Sequence, residues 1–182
     1  MTHTTGQVIW ITGLSGAGKS TLAGEVVRRL RDQGRAVVLL DGDELREVFG
    51  SASLDARNYE RDKRLALALQ YAHLCRVIAG QGLLVVIATM SLFKEVHAWN
   101  RRHLPGYFEV YLHVPLAELR RRDPKGIYRR FDAGELTQVA GLDLPIDEPA
   151  AADWVVEWAS EHSVEGLAGE LLHLLETQKE PP

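Results

Sequence analysis

Gly13-Leu14-Ser15-Gly16-Ala17-Gly18-Lys19-Ser20 follows the apolar run Val8-Ile9-Trp10-Ile11 and leads into a helix-like stretch. The Gly-x-x-x-x-Gly-Lys-Ser spacing has the chemistry of a phosphate cradle. Its glycines let the backbone curl so that N–H groups point inward, the Lys19 ammonium reaches the outer phosphates, and the Ser20 hydroxyl ligates Mg²⁺ beside a helix N-terminus that favours anions. Residues Gly13, Ser15, Gly16, Ala17, Gly18, Lys19 and Ser20 are therefore expected around the phosphates of a nucleoside triphosphate. The strand before and the helix after separate this loop from a glycine-rich turn that merely joins two elements.

The composition surrounding the loop is that of an ordinary globular protein. Of 182 residues, 46% are hydrophobic and 25% charged, which suits one domain with a sizeable core. We expect that domain over residues 1–177, with 178–182 as a disordered tail. A formal net charge of −4 lacks the broadly basic footprint of a nucleic-acid or membrane-surface binder, so neither partner is expected and any anion site must be local. The single cysteine, Cys75, excludes an internal disulfide. Segment 2–7 is polar rather than signal-like, and no apolar run approaches the ~20 residues of a membrane span. A cytoplasmic location is expected.

Short aliphatic runs recur at 8–12, 36–40, 83–88, 108–114 and 154–156, separated by segments with helical periodicity. The runs are nearly continuous rather than alternating, as parallel strands covered on both faces require. The expected fold is α/β: a three-layer α/β/α sandwich with a mainly parallel sheet, as in P-loop nucleotide hydrolases and kinases, with ligands at the strand C-terminal ends. Helices are expected at 20–33, 61–80, 94–103, 116–121 and 163–177, the last burying a stripe through Val164, Leu167, Leu171 and Leu175. Between 122 and 149 the pattern dissolves into Pro, Gly and charge, which in a compact domain marks a lid.

Three charged groups stand out. The second strand ends Leu40-Asp41-Gly42-Asp43, bringing two carboxylates to the sheet edge that carries the loop. Either can hold Mg²⁺ or accept a proton from an attacking hydroxyl, although Asp43 would also serve as N-cap of a helix starting near Glu44. Arg57, Arg61, Lys63 and Arg64 crowd the start of the third helix, where cations oppose the dipole; an anion, or nearby acids, would balance them. Residues 120–130 hold six cations and one carboxylate, a density suited to neutralising a transferred phosphoryl group. Arg120 and Arg121 fit an ordinary helix C-terminus, which leaves Arg122 and Lys125 as the candidates.

Together, Gly13 to Thr21, Leu40-Asp41-Gly42-Asp43 with Arg46, and Arg122-Asp123-Pro124-Lys125-Gly126-Ile127-Tyr128 resemble the adenylylsulfate kinase family, and Gly134-Glu135-Leu136, Gly141 and Glu148-Pro149 continue the same order. The resemblance implies a P-loop kinase that moves the γ-phosphoryl group of ATP, with Mg²⁺, to the ribose 3′-hydroxyl of adenylylsulfate. It assigns residues 13–21 and Arg122 to ATP, Ser20 and Asp41 to the metal, Asp43 to the base, and Arg46 and Arg64 to the acceptor nucleotide. It places Lys125 in the lid over both nucleotides and implies a homodimer.

The departures concern the acceptor. The family's Arg-x-x-Asn-x-Arg-Arg reads Arg64, Leu67, Leu69 and Gln70; its adenine-stacking Phe-Thr-Gly reads Val139-Ala140-Gly141; its Ser-Pro-Tyr reads Ser91-Leu92-Phe93. Tyr59 stands where another stacking aromatic sits. With phosphate loop, carboxylate turn and lid intact, these changes read as an altered acceptor pocket involving Ser91 and Val139. The stretches 64–75 and 88–93, with Trp99-Asn100-Arg101, resemble a branch that includes cytidine diphosphoramidate kinases, where the phosphoryl group goes to the 3′-hydroxyl of a cytosine nucleotide.

A nucleotide-hydrolysing switch without a small-molecule acceptor is the contrasting possibility. Against it stand the absence of an Asn-Lys-x-Asp motif and the presence of a basic lid. His97, His103, His113 and His173 lack zinc-ligand spacing with Cys75, and Trp154 and Trp158 are expected in the core or an interface.

Overall fold

Strand β1 (Gln7–Gly13) is the centre of a parallel sheet, paired through residues 7–11 with β3 (Leu84–Ala88) and through 9–13 with β4 (Phe108–His113). The outer strands are β2 (Val37–Asp41) on β3 and β5 (Trp154–Glu157) on β4, giving the order β2-β3-β1-β4-β5. This computed structural model describes residues 6–49 and 61–177. Tyr59, Arg57 and the 178–182 tail lie outside the described residues.

Alternation along β1 sends its side chains to two separate cores. Ile9 and Ile11 pack with α1 (Lys19–Asp32) and α7 (Val164–Thr177), whereas Val8 and Trp10 pack with α3 (Arg61–Ala79) and α4 (Lys94–His103). Both faces are apolar because both are covered. Helix α1 buries Leu22, Ala23, Val26, Val27 and Leu30, and each larger aliphatic contributes about 1.5–3 kcal/mol when removed from water. The α7 stripe behaves as expected, with Ala168, Leu171 and Leu175 buried and Leu167 and Leu172 packed against them. Among the described residues no helix is long and apolar enough to cross a membrane.

Two local expectations need correction. The helix after β2 is α2 (Gly42–Val48), and its cap is Asp41, not Asp43: Asp41 is extended (φ −108°, ψ 134°) and its side chain accepts the Asp43 N–H. Asp43 thereby lies in the first turn, free to face other partners. The stretch expected to be irregular after α5 (Leu116–Arg122) contains a short helix, α6 (Ile127–Asp132). The Asp123 carboxylate nucleates it by accepting from the backbone N–H of Tyr128 at 3.2 Å and of Arg129 at 3.0 Å. A six-residue helix rich in arginine carries no apolar period, so its sequence gave no sign of it.

Candidate active site

The loop between β1 and α1 has the curled backbone its sequence requires, with Gly16 at φ 81° and Gly18, the α1 N-cap, at φ 96°. Lys19 folds back inside it, its Nζ donating to the Leu14 carbonyl at 2.8 Å. Burial pushes the Lys19 ammonium down to about 8, and the neighbouring Lys125 cation adds to the effect. An ammonium so placed gains a strong partner when phosphate oxygens enter. One helical residue on, Ser20 Oγ donates to Asp41 Oδ2 at 2.5 Å, so the hydroxyl and carboxylate expected to share a metal are neighbours.

Asp43, two residues after Asp41, is gripped by two cations: Arg46 Nη2 and Lys125 Nζ each hydrogen-bond one of its carboxylate oxygens. Burial alone would raise this carboxyl, but the Lys125 hydrogen bond, with the Arg46 and Lys19 charges, brings it below the ordinary aspartate value. Asp43, Lys125 and Lys19 therefore form one electrostatic unit although 82 residues separate Asp43 from Lys125.

The segment expected to be a lid lies directly on the Gly13–Ser20 loop. Pro124 stands 3.4 Å from where a Gly16 Cβ would be, and Gly141 is so close to Leu14 that a Cβ there would meet its Cδ1 at 2.9 Å. Tyr128, 1% exposed, donates from its hydroxyl to the Ser15 carbonyl at 2.8 Å.

On the β2–β3 side, Arg64 Nη1 reaches the Gln138 carbonyl at 3.4 Å, bringing the head of α3 to the limb formed by residues 134–149. Val139, on that limb, is half-buried, its N–H bonded to Asp143 Oδ1 at 2.6 Å. Ser91 is buried beyond the end of β3 and shares a 2.9 Å hydrogen bond with Thr89 Oγ1. Arg61 is balanced by protein acids, Glu95 at 3.0 Å and Asp147 at 3.3 Å, and lies over the Phe93 ring. Of the substrate-binding candidates, Asp43, Arg46, Arg64, Ser91, Lys125 and Val139 are thus at the C-terminal sheet edge or on the 122–149 segment beside it.

On the β4–β5 side, a cleft of about 360 Å³ opens beside the loop, lined among others by Thr21, Glu118, Arg122, Trp158, Ser160 and His162. Arg122 is held at 2.6 Å by Glu118 and its guanidinium lies 5.8 Å from the Trp158 ring centre. Glu118 also accepts from Arg121 at 2.7 Å, and these hydrogen bonds, that of Arg121 first, bring its carboxyl down to about 2. Arg120 pairs instead with Asp132 at 2.7 Å, away from the cleft. Trp158, expected in the core, packs against it but also forms the cleft wall. Its position just past the end of β5 was the available signal, since ligands of such sheets gather at strand C-termini.

The adenylylsulphate kinase family model matches residues 5–157. The chain belongs to that family. It is 35% identical to the cytidine diphosphoramidate kinase of Campylobacter jejuni serotype O:2 over 158 residues, covering 87% of this chain and 89% of the relative. It is 37% identical to the adenylyl-sulfate kinase of Paraburkholderia xenovorans over 177 residues, 96% of each chain. The Mycobacterium tuberculosis APS kinase CysC, solved in complex with AMPPNP and APS, superimposes with a TM-score of 0.84 at 34% identity, covering 94% of this chain and 98% of that one. A shikimate kinase from Acinetobacter baumannii shares the fold, with a TM-score of 0.63 at 18% identity.

This adenylylsulphate kinase family member is thus a phosphotransferase that uses ATP with Mg²⁺, and a switch lacking an acceptor is disfavoured. Its side chains fit that donor. The loop's left-handed glycines and Lys19 suit the phosphates, the cleft beyond Thr21 suits a base flanked by Arg122 and Trp158, and the adjoining Ser20 hydroxyl and Asp41 carboxylate suit a hard cation that keeps several waters. Such a cation supplies charge neutralisation at the transferred group.

Proposed function

We propose that this chain transfers the γ-phosphoryl group of ATP to the ribose 3′-hydroxyl of a small nucleotide, and that the acceptor is a cytidine diphosphate derivative of the cytidine diphosphoramidate kind. The observation that carries the phosphoryl-transfer reading is the Asp43 carboxylate, gripped by Lys125 and Arg46 beside Lys19. Asp43 is the base that takes the acceptor's hydroxyl proton. Paired as it is, it is a weak base, and in a loose phosphoryl transfer the proton moves late, so weak basicity suffices until the lid cation turns to the phosphates. Lys19 and Lys125 balance the charge of the moving group; Arg46 and Arg64 take the acceptor's own phosphates. Residues 122–149 act as the lid.

The choice of acceptor rests on what lines the lid limb and α3. Val139 offers no flat face for a purine to stack on, and Leu67, half-buried on α3, offers no hydrogen bond to a base edge. A smaller pyrimidine fits that loss better. Adenylylsulfate is the second reading, favoured by the 37% identity to an adenylyl-sulfate kinase over 96% of both chains. Competing the two acceptors in one reaction separates them: a kcat/KM ratio favouring cytidine diphosphoramidate by tenfold or more supports the proposal, and a ratio favouring adenylylsulfate overturns the acceptor assignment while leaving the transfer chemistry in place.

A further inference from the structure

Tyr128 carries a buried hydroxyl that the phosphoryl-transfer chemistry does not use. It belongs to α6, whose first turn is fixed by Asp123, and it reaches 113 residues back to the Ser15 carbonyl at 2.8 Å. That carbonyl is a backbone atom of the phosphate loop, and its direction has a consequence. In a trans peptide the C=O of one residue and the N–H of the next point opposite ways. Drawing the Ser15 oxygen outward to Tyr128 therefore turns the Gly16 N–H inward, towards the space the phosphates enter.

The peptide between Ser15 and Gly16 needs such a restraint. Gly16 sits at φ 81°, and a glycine tolerates both orientations of the preceding peptide plane, because no Cβ penalises either. In the flipped orientation a carbonyl oxygen, not an N–H, would face the phosphates. We propose that Tyr128 is a positioning residue that locks the Ser15–Gly16 peptide in its donating orientation and so couples the seating of the lid to the affinity of the loop for donor phosphates. Pro124 against Gly16 acts on the same peptide from the same lid segment, and Lys125 lies between Pro124 and α6. Displacing the lid would loosen the cradle, and filling the cradle would hold the lid. Burial raises the phenol to about 12, so the hydroxyl keeps its proton and remains a donor throughout the working pH range.

This inference rests on the loop being the donor-phosphate site. Tyr128→Phe tests it, because the ring and its packing stay while one hydroxyl is removed. MgATP KM and the MgADP dissociation constant are expected to rise about fivefold, the factor one ordinary hydrogen bond carries. Adenosine affinity and acceptor KM should not move, and the melting temperature should fall by no more than the few degrees, about 2–4 °C, that one buried hydrogen bond accounts for. The Gly16 amide proton, followed by NMR, is expected to shift on MgADP binding in the wild type and to shift less in the variant. Unchanged ATP and ADP affinities would overturn the proposal, as would a parallel loss for adenosine and acceptor, which marks general loosening. A wild type that fails to bind MgADP would instead overturn the donor-site reading on which the inference rests.

Discussion

The loop side and the acceptor side of the sheet edge are built from different materials. On the proposed reading, phosphate handling around the loop falls to individual atoms with fixed chemistry: the Lys19 ammonium, the Ser20 hydroxyl on Asp41, and the Asp43 carboxylate between Arg46 and Lys125. On the acceptor side, the same reading gives a base a surface to meet, Val139 beyond residue 134 and Leu67 on α3, from segments far apart in the chain that are joined by the Arg64–Gln138 hydrogen bond. A phosphate has one charge pattern and admits few solutions, whereas a base can be held by many combinations of flat and apolar groups. On this reading the reaction class is fixed by atoms, and the acceptor by packing.

The comparison breaks if substitutions on the loop side alter acceptor choice, or if those on the acceptor side alter the chemistry. Lys19→Ala is expected to lower kcat about a thousandfold with every acceptor, measured as ADP release, because a preorganised cation at the developing charge is lost. Asp43→Asn should lower kcat by about a hundredfold with ATP affinity little changed in a calorimetric titration; normal turnover would remove Asp43 from the role of base. Trp158→Ala should raise the ATP KM about tenfold, as loss of a stacking face does, with acceptor KM constant.

Lys19 also gives the pH profile a shape. In the free enzyme its ammonium loses its proton above about 8, so kcat/KM for ATP should fall about tenfold for each pH unit beyond that point. Bound phosphates favour the charged form, so kcat itself should hold to higher pH. A kcat that falls in parallel would show that the phosphates do not rest on Lys19. The smallest effect is expected for Leu67→Asn with Val139→Phe, a few-fold shift of preference towards adenylylsulfate read by acceptor competition. An unchanged preference would remove both positions from acceptor choice.

Most of the architecture was legible because its signals are local and repetitive. The apolar runs mark all five strands to within a residue or two, and α4 falls on the expected 94–103. The Gly13–Ser20 spacing, the Asp41–Asp43 turn and the basic 122–128 segment stand out in the sequence because phosphate chemistry ties residue type to spacing, and the fold brings the three to one sheet edge. What escaped detection depends on tertiary placement. Glu118 looks like any helical glutamate until it holds Arg122, Trp158 like a core residue until the cleft opens beside it, and Tyr128 like part of a charged loop until α6 brings its hydroxyl to Ser15. Asp41 and Asp43 exchanged capping roles because the helix starts two residues earlier than the charge pattern suggests.

The central claim is that this chain makes a phosphorylated nucleotide and does not simply hydrolyse ATP. Incubation with MgATP and cytidine diphosphoramidate, followed by phosphorus–proton correlation NMR, tests it most directly. We expect one new phosphomonoester signal coupled to the ribose H3′ proton, formed in step with ADP. Inorganic phosphate formed in step with ADP, with neither cytidine diphosphoramidate nor adenylylsulfate phosphorylated, would contradict it.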